Sequence, residues 1–482
     1  MTTTIISQQA PPDAGKASRF AKWAPLAVVL TGTFIFVLDF FILNVALPDI
    51  QHGMHASAAA IEWLVSGYAL TSAALLVTGG RLGDHYGRRR WFSIGLATFV
   101  VASALGALAP DPAILVAARL LQGAGAAVMA PNILAILGMT YTGPDRVRAI
   151  SVYGMTMGLA AVSGQLIGGV LIDANVAGLG WRAIFWFHVP IGLAALAATP
   201  RLVRESRAEH AGRLDLAGAL LLAAALVAIV LPLVDGRQEG WPAWSWASLA
   251  AGPVLLAAFA GYLRHVRRGG GQPLIDPAIF AVPAFRAGLT VQVLFWCQQA
   301  ASYLLLALFL QQGRGLSPLV SGGVFAVLAA GYLVTSFRAP KLTMRFGRRV
   351  IVTGAVVAAV GDLLLLLAVA HGGAGVPLAA LFPGLFLLGA GQGLCITPLT
   401  TTVLSHADTR TAGSVSGALS TAQQIGNAVG VALSGVVFYG LLNHGYATAF
   451  GSSVAEMGVL LLAVAALTLI LLRPAGATGE GR

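Results

Sequence analysis

The sequence predicts an all-α membrane protein of fourteen spanning helices. Hydrophobic residues make up 57% of its 482 residues and charged residues only 10%, whereas about a quarter of a soluble globular protein is charged. A stretch of roughly 20 mostly apolar residues is long enough to cross a bilayer. Such stretches lie at 25–47, 60–80, 91–109, 113–138, 147–172, 183–200, 214–234, 246–263, 286–310, 319–339, 349–370, 377–403, 411–442 and 455–472. An even number of spans places both termini on one side.

The basic residues are distributed unevenly between the two predicted sides. Of the 29 Lys and Arg, Arg182, Arg237 and Arg314 lie in odd-numbered loops and Arg119 lies inside a span, which leaves 25 for the even-numbered loops and the tails. Because positive residues collect on the cytoplasmic side, we expect both termini there and a multi-pass protein of the inner (cytoplasmic) membrane. The net charge of +11 is then explained by anionic lipid, and no nucleic-acid partner is expected.

The first residues and the cysteines exclude several other classes. Residues 1–22 are polar and carry Pro11 and Pro12, so we predict no cleavable signal peptide and keep the first apolar run as a span. Cys297 and Cys395 both fall in predicted spans, which argues against a disulfide framework and a metal site. No cofactor is expected.

A weak internal repeat divides the chain. Residues 79–89 (GGRLGDHYGRR) return as 339–349 (APKLTMRFGRR), and residues 149–154 (AISVYG) return as 412–417 (AGSVSG). Two six-helix halves repeated about an axis along the membrane normal are a recurring transporter architecture. The predicted parts are a cytoplasmic tail (1–24), a first bundle (25–200), a linker with two additional spans (201–284), a second bundle (285–472) and a second tail (473–482).

Four sequence runs identify a family. They are the loop after the second predicted span, LDFFILNVALP (38–48), RLLQGAGAAVMAP (119–131) and WRAIFWFHVPIG (181–192). Together they resemble the fourteen-helix branch of the drug:proton antiporters in the major facilitator superfamily. The resemblance implies the major facilitator fold. It also implies a cytoplasmic gate formed by the residues of the loop motif, which are Gly80, Asp84, Gly87, Arg88 and Arg89.

The chain departs from this family's patterns at three positions. Phe41 stands where a Thr is usual, and His188 stands where an Asn is usual. The family's antiporter motif, G-P-x-x-G-G, is here Gly164, Gln165, Leu166, Ile167, Gly168 and Gly169. The glycines still permit close helix packing, but the kink that a Pro would enforce is not guaranteed. This departure leaves uniport open beside antiport.

Three ionisable residues lie well inside predicted spans, where charges are costly and usually functional. They are Asp39, Arg119 and Asp362. Asp39 and Arg119 lie eight and six residues from the same side of the membrane, so their depths differ by roughly 3 Å. We predict that the two pair, or that Arg119 promotes proton release from Asp39, with Asp362 as a second proton or cation site. For His188 we expect an interfacial imidazole with satisfied hydrogen bonds rather than a titrating group.

Two polar stripes at helical spacing predict a substrate cavity. The ninth span carries Gln292, Trp296, Gln299 and Tyr303, and the thirteenth carries Gln423 and Asn427. Asn44 and Tyr68 complete the predicted lining. Uncharged polar groups mixed with aromatic rings suit apolar or cationic guests, although such stripes also form hydrogen bonds between helices without any substrate.

The predicted function is proton-coupled export, by alternating access, of small apolar or cationic molecules such as drugs. The expected partners are a small-molecule substrate, protons and the lipid bilayer, and we expect a monomer. Two alternatives stay open, namely a dedicated exporter or importer of one solute (a siderophore, natural product or sugar) and a membrane sensor that no longer transports. An enzyme is not expected, and the absence of a P-loop motif argues against direct ATP drive.

Overall fold

The computed structural model describes residues 14–207, 214–404 and 412–471. These residues form fifteen α-helices joined by short turns and contain no strand. The helices are α1 (Ala14–Met54), α2 (Ala58–Tyr86), α3 (Arg88–Leu108), α4 (Pro112–Thr140), α5 (Gly143–Asp173), α6 (Arg182–Leu202), α7 (Leu216–Gln238), α8 (Ala243–Arg268), α9 (Pro283–Leu308), α10 (Pro318–Ser336), α11 (Ala339–Phe346), α12 (Arg349–Gly372), α13 (Leu378–Leu404), α14 (Ala412–Leu441) and α15 (Tyr446–Leu471).

Fourteen helices in the described ranges are long and apolar enough to cross a membrane, which confirms the predicted number and the all-α fold class. The remaining helix, α11, has eight residues and connects α10 to α12. The predicted tenth span therefore ends earlier than expected, at Ser336. The last span begins earlier, at Tyr446, because the small and weakly polar residues at its start are helical although their hydropathy is low.

Because the spans alternate in direction, the bundle has two sides. We call the side on which α1 begins and α15 ends the terminal side, and the opposite side the distal side. Odd-numbered helices from α1 to α9 run from the terminal to the distal side, and so do α12 and α14.

The helix pairings occur in two matching sets. In the first set α1 packs on α5 and α6, α3 on α4 and α6, and α2 on α4; in the second, α9 packs on α14 and α15, α12 on α13 and α15, and α10 on α13. Close approach in each set is made by glycines, with Gly95 against Gly125 and Gly354 against Gly391. Between the two sets, α2 packs on α14 and α5 packs on α10. These two contacts form the seam between the bundles, and the two-fold relation that matches one set to the other also exchanges these two contacts.

The helices α7 and α8 pack on one another outside this symmetric arrangement, and α7 also contacts both α2 and α14. The additional pair therefore lies along one side of the seam. The segment between α8 and α9 is held in place at two points. Arg81 of α2 donates to the carbonyls of Gln272 and Leu274, and the Asp215 carboxylate accepts from the Leu274 amide at 2.7 Å.

Candidate functional site: a central cavity and an adjoining buried ion pair

A cavity lies at the seam in the middle of the bundle. It encloses about 980 Å³ of space free of protein atoms, its opening included. None of the lining residues that the structure describes carries a charge. The lining residues are Phe36, Val37, Phe40, Phe41, Tyr68, Met157, Ala161, Gln165, Trp296, Gln299, Tyr303, Phe325, Leu328, Ala329, Tyr332, Ile396, Gln423, Gln424 and Asn427.

Aromatic rings join the two bundles within this cavity. The Phe41 ring contacts the edge of Tyr303, with centroids 5.1 Å apart, and Tyr303 stacks on Phe325 at 5.8 Å with an interplanar angle of 9°. Phe41 belongs to α1 and the other two to α9 and α10. The Phe that replaces the family's usual Thr thus contributes to the cavity wall, a role that the sequence analysis did not assign to it.

Amide groups supply the polar part of the lining. Both amide atoms of Gln165 are buried without a hydrogen-bond partner, and so are Oε1 of Gln299 and Oδ1 of Asn427. Asn427 donates to the Oε1 atom of Gln424 at 3.0 Å. Buried amides without partners are costly, and here they face a space that a polar ligand can fill.

Six of the eight predicted cavity residues line this space, and two do not. Tyr68, Trp296, Gln299, Tyr303, Gln423 and Asn427 are in the lining. Asn44 lies one turn beyond Phe40 on α1, where its amide donates to the Phe40 carbonyl at 2.8 Å. Gln292 is buried one turn before Trp296 on α9. Both are corrected from lining residues to buried residues outside the cavity, because a shared helical face does not fix how far the cavity extends along it.

Next to the cavity, Asp39 and Arg119 form a buried ion pair. Nη1 of Arg119 lies 2.5 Å from Oδ2 of Asp39, and each side chain is at most 2% exposed. The guanidinium also donates to the Leu64 carbonyl at 3.0 Å and to Oε1 of Gln122 at 2.7 Å. Gln122 in turn donates to Oδ1 of Asp39 at 3.3 Å. Asp39 and Arg119 thus meet, as their similar depths in the membrane predicted. Their role in proton coupling stays a prediction.

Tyr68 connects the ion pair to the cavity. Its ring lines the cavity, and the Arg119 guanidinium lies 4.6 Å from the ring centroid, a cation–π distance. A substrate that displaces the Tyr68 ring would therefore move a direct contact of Arg119.

His188 differs from its predicted environment. The imidazole is fully buried, and neither ring nitrogen has a side-chain hydrogen-bond partner. Its Nδ1 atom lies 4.0 Å from Oδ1 of Asp39, and its ring contacts the edge of Phe99. The expectation of an interfacial position was wrong, because α6 places this residue inside the bundle against α1 and α3.

Asp362 is buried in the second bundle, away from the cavity lining. It lies on α12, close to Gly458 of α15, and its Oδ2 atom has no hydrogen-bond partner. The sequence analysis missed a second acid in this bundle, Glu456 of α15, which accepts a hydrogen bond from Ser434 at 3.3 Å. In the described part of the chain, no group of three or more His, Cys, Asp or Glu residues is arranged to hold a metal ion.

The loop motif lies at the terminal side between α2 and α3. Arg88 donates to Oδ1 of Asp84 through Nε at 2.9 Å and through Nη2 at 2.7 Å. Gly80 faces Pro131 of α4, and a Cβ at Gly83 would lie 1.6 Å from the Asn132 amide oxygen. The glycines therefore permit the close approach of α2 to α4, and the charged residues hold the turn that follows.

A residue outside the motif completes this turn. The Glu205 carboxylate, just after α6, accepts from the backbone amides of Arg89 at 2.9 Å and Arg90 at 3.1 Å, at the first turn of α3. Gly87 has φ +116°, and a side chain there would meet Glu205. A carboxylate at a helix N-terminus is favourable. The sequence offered one signal for Glu205, namely that it is one of two acids, with Glu209, in the otherwise basic segment 201–213.

The residues that correspond to the antiporter motif (164–169) lie on α5, which packs on helices of both bundles. A Cβ at Gly164 would lie 2.8 Å from Phe41, and one at Gly168 would lie 2.9 Å from Ile42, so these glycines pack α5 on α1. Gly169 packs on Leu319 of α10 instead. α5 is a continuous helix with no internal Pro, and Gln165 turns its amide to the cavity.

Polar pairs between the bundles lie on the distal side of the cavity. Gln312 donates to Gln51 at 2.7 Å, Gln311 to the Val45 carbonyl at 2.8 Å, and Ser317 to Asp173 at 2.9 Å. On every helix involved, these residues lie nearer the distal end than the residues that line the cavity. The cavity is therefore closed on the distal side.

A second buried ion pair strengthens this closure, and the sequence analysis missed it. Glu62 of α2 is fully buried, and Arg237 at the end of α7 donates to its Oε1 atom at 2.6 Å. The same guanidinium lies 4.7 Å from the ring centroid of Tyr439 on α14. We predicted Glu62 near the start of a span and Arg237 in a loop, and neither position revealed that the two residues meet.

Comparison with known proteins decides the family. A family model described as Major Facilitator Superfamily matches residues 29–431. The chain belongs to this superfamily. It is 37% identical over 435 residues to a probable actinorhodin transporter of Streptomyces coelicolor, covering 89% of this chain and 74% of that protein. It is 35% identical over 468 residues to the puromycin resistance protein pur8 of Streptomyces alboniger, covering 93% and 91%.

Other relatives of this superfamily member are multidrug-resistance and antibiotic-export proteins. The expected drug-transporter branch is thus confirmed, and so is the expectation of a transporter rather than an enzyme. Among solved structures, an auto-inhibited peptide transporter of the POT family has a TM-score of 0.67 at 17% identity, covering 94% of this chain and 99% of that one. This likeness supports the fold.

Proposed function

We propose that this transporter is a proton-driven exporter of uncharged or amphipathic aromatic molecules. The observation that carries the proposal is the ion pair of Asp39 with Arg119 directly beside an aromatic cavity whose described lining residues carry no charge. One group of residues can bind the substrate while the neighbouring group binds the proton. Export as the direction of transport is supported by the relatives, which include resistance and export proteins.

The terminal side is the cytoplasmic side in this proposal. Most Arg and Lys residues lie at the terminal ends of the helices, as the positive-inside rule requires. The structure, closed on its distal side, then corresponds to the state in which an exporter loads its substrate from the cytoplasm. Opening of the distal side would release the substrate outside the cell.

Asp39 is the proton carrier. Its side chain pairs with Arg119 in this state, and a proton taken from the outer water would neutralise Asp39 and free Arg119. Return to the state shown here would restore the ion pair and release that proton to the cytoplasm. Tyr68 links substrate binding to this binding and release of the proton, since its ring lines the cavity and contacts the Arg119 guanidinium.

The substrate class follows from the cavity wall. Aromatic rings offer flat apolar surfaces. The unpartnered amide of Gln165 can bind hydroxyl or carbonyl groups, and the unpartnered Oε1 atom of Gln299 can accept from a hydroxyl group. A permanently cationic guest would find aromatic faces but no carboxylate among the described lining residues. Transport of a single natural product is the second candidate, favoured by the likeness to a probable actinorhodin transporter.

The transport specificity can be tested in an efflux-deficient host with puromycin, chloramphenicol and ethidium, each with and without an uncoupler. We expect export of the two uncharged or weakly basic aromatic antibiotics to exceed export of ethidium, and we expect the uncoupler to abolish it. Export of one compound alone would favour a dedicated transporter, and export that the uncoupler leaves unchanged would contradict proton drive.

The first prediction concerns Asp39→Asn, which keeps the size and polarity of the side chain but cannot titrate. In proteoliposomes we expect this variant to bind substrate and to lose accumulation driven by a pH gradient, whereas Asp39→Glu keeps part of it. Substrate-induced proton flux at equal reconstitution is the measurement. Full coupled flux in Asp39→Asn would place the proton elsewhere, with Asp362 as the next candidate.

A further inference from the structure

A buried histidine beside the candidate proton carrier has no function in the mechanism above. His188 of α6 is inaccessible to solvent, and neither ring nitrogen has a side-chain hydrogen-bond partner, although the Ile184 and Phe185 carbonyls of its own helix lie near the ring. Leaving a polar group unpaired in the interior costs about 1–3 kcal/mol. A side chain that only filled space would avoid this cost by being apolar.

The oxygen of Asp39 that faces His188 can accept another hydrogen bond. Oδ2 is engaged by Arg119 at 2.5 Å, whereas Oδ1 receives only the long contact of 3.3 Å from Gln122. Nδ1 of His188 lies 4.0 Å from that same Oδ1 atom. A small movement of the imidazole would convert this approach into a hydrogen bond.

The surroundings determine which charges the imidazole meets. Asp39 of α1 and Arg119 of α4 are the charged groups that act on it. From α3 it meets the Phe99 ring. The charged residues of α5 in the described range lie near the ends of that helix, at Asp145, Arg146, Arg148 and Asp173. The imidazole thus faces one carboxylate with a free acceptor site and one guanidinium already paired to it.

We propose that His188 is a second proton-binding group of the Asp39 site, an inference that rests on the proton coupling proposed above. A proton from water on the open side binds the free nitrogen of the neutral imidazole, and the imidazolium donates from Nδ1 to Oδ1 of Asp39. The ion pair with Arg119 stays intact in this step. A further proton goes to Asp39 itself and separates it from Arg119, and both protons return to water on the other side.

Histidine suits this task because it changes charge between about pH 5 and 8, and two interacting groups titrate in coupled steps. The family's usual Asn at this position cannot take a proton. The chain therefore carries a proton acceptor that the family pattern lacks, and its proton-to-substrate ratio is higher than Asp39 alone would give.

The test that needs no substrate uses purified protein labelled with ¹⁵N-histidine. The His188 signal, assigned by its loss in His188→Asn, is expected to titrate in the range below about pH 8 in wild type and to stop doing so in Asp39→Asn. The exposed His371, whose Nδ1 atom lies 2.7 Å from the Leu367 carbonyl of its own helix, provides a reference signal from the second bundle. A His188 signal that is constant over this range in wild type, or that titrates identically in Asp39→Asn, overturns the proposal.

The transport test counts protons moved per molecule of chloramphenicol in proteoliposomes, since this probe has no group that titrates in the same range. We expect His188→Asn and His188→Gln to move about one proton fewer than wild type, with His371→Asn unchanged. Wild type that moves no protons refutes the proposed proton drive. Coupled flux with the same ratio in both His188 variants refutes the role of His188 alone.

Discussion

Phe41 places an aromatic ring from the first bundle against Tyr303 of the second. Such a contact contributes about 0.5–1.5 kcal/mol beyond the burial of area. The residue's position next to Gly164 explains how a large side chain fits, because α5 has no side chain there to compete for the space.

We predict that Phe41→Thr weakens binding of aromatic substrates by roughly 2- to 12-fold. This factor corresponds to the loss of one aromatic pair between the Phe41 ring and the substrate. Proton flux per transported molecule should stay unchanged, because Asp39 keeps its partners. Equilibrium binding of chloramphenicol and puromycin to the purified protein measures the effect. Equal affinity in the variant and wild type would mean that the ring does not contact the substrate.

Asp84 and Arg88 form the polar contact of the terminal-side turn, and their counterparts in the repeat are Met344 and Arg348. Only the first copy of the motif therefore has the carboxylate. Asp84 is partly exposed, so its contact contributes modestly to stability.

We predict that Asp84→Asn and Arg88→Ala leave the protein folded and inserted but slow its transport, because each removes a charge-assisted hydrogen bond. Initial transport rates at equal amounts of membrane protein test this. Met344→Ala, which alters the matching position of the second copy, is the control and should transport at the wild-type rate. Wild-type transport rates in both motif variants would show that the loop determines only the membrane topology of the chain.

At the scale of helices, α7 is part of the seam and not a peripheral addition. Its Arg237 binds Glu62 of α2 and lies over Tyr439 of α14, while Asp235 of the same helix accepts from the Trp63 indole at 3.1 Å. The inserted pair thus connects the two bundles on the distal side. Opening of that side has to separate Arg237 from one of its two partners.

We predict that Glu62→Ala lowers the free energy of unfolding by about 3–5 kcal/mol, the cost of leaving one partner of a buried pair alone; the lower end is expected because Arg237 is partly exposed. Lys22→Ala is the matched control, since the ion pair of Lys22 with Asp145 is exposed and is worth at most about 1 kcal/mol. Unfolding of the purified proteins in detergent compares them. Similar losses in both variants would show that the Glu62 pair contributes no more than a surface contact.

At the scale of the whole molecule, polar pairs join the two bundles on the distal side of the cavity. Ser317 of α10 and Asp173 of α5 touch through their side chains at 2.9 Å. These two helices belong to different bundles, and alternating access requires them to part at this end.

We predict that the double variant Asp173→Cys with Ser317→Cys forms a disulfide under mild oxidation and stops transport, and that a reductant restores it. The native Cys297 and Cys395 are buried and should not interfere. Each single variant, oxidised in the same way, controls for the loss of the native contact. Undiminished transport by the cross-linked protein would show that the distal side does not have to open.

The sequence by itself determined the number of spans, the repeat and the position of the buried pair. Bilayer thickness imposes a length on every apolar stretch, and a charge within such a stretch is rare enough to be noticed, as with Asp39 and Arg119. Both signals are local in the sequence, so they can be recognised without knowing which other residues the stretch or the charge contacts. The motif glycines were similarly visible, because they are needed wherever helices meet closely.

Tertiary structure alone decided which residues share a site. Glu62 meets Arg237 across 175 residues of sequence and Glu205 meets Arg89 across 116, separations at which hydropathy carries no information. Asn44 and Gln292 share a helical face with true lining residues, yet the cavity ends before it reaches them. His188 was the most consequential case: its type suggested titration, but only the packing of α6 on α1 placed it beside Asp39, because burial and distance are properties of the assembled helices.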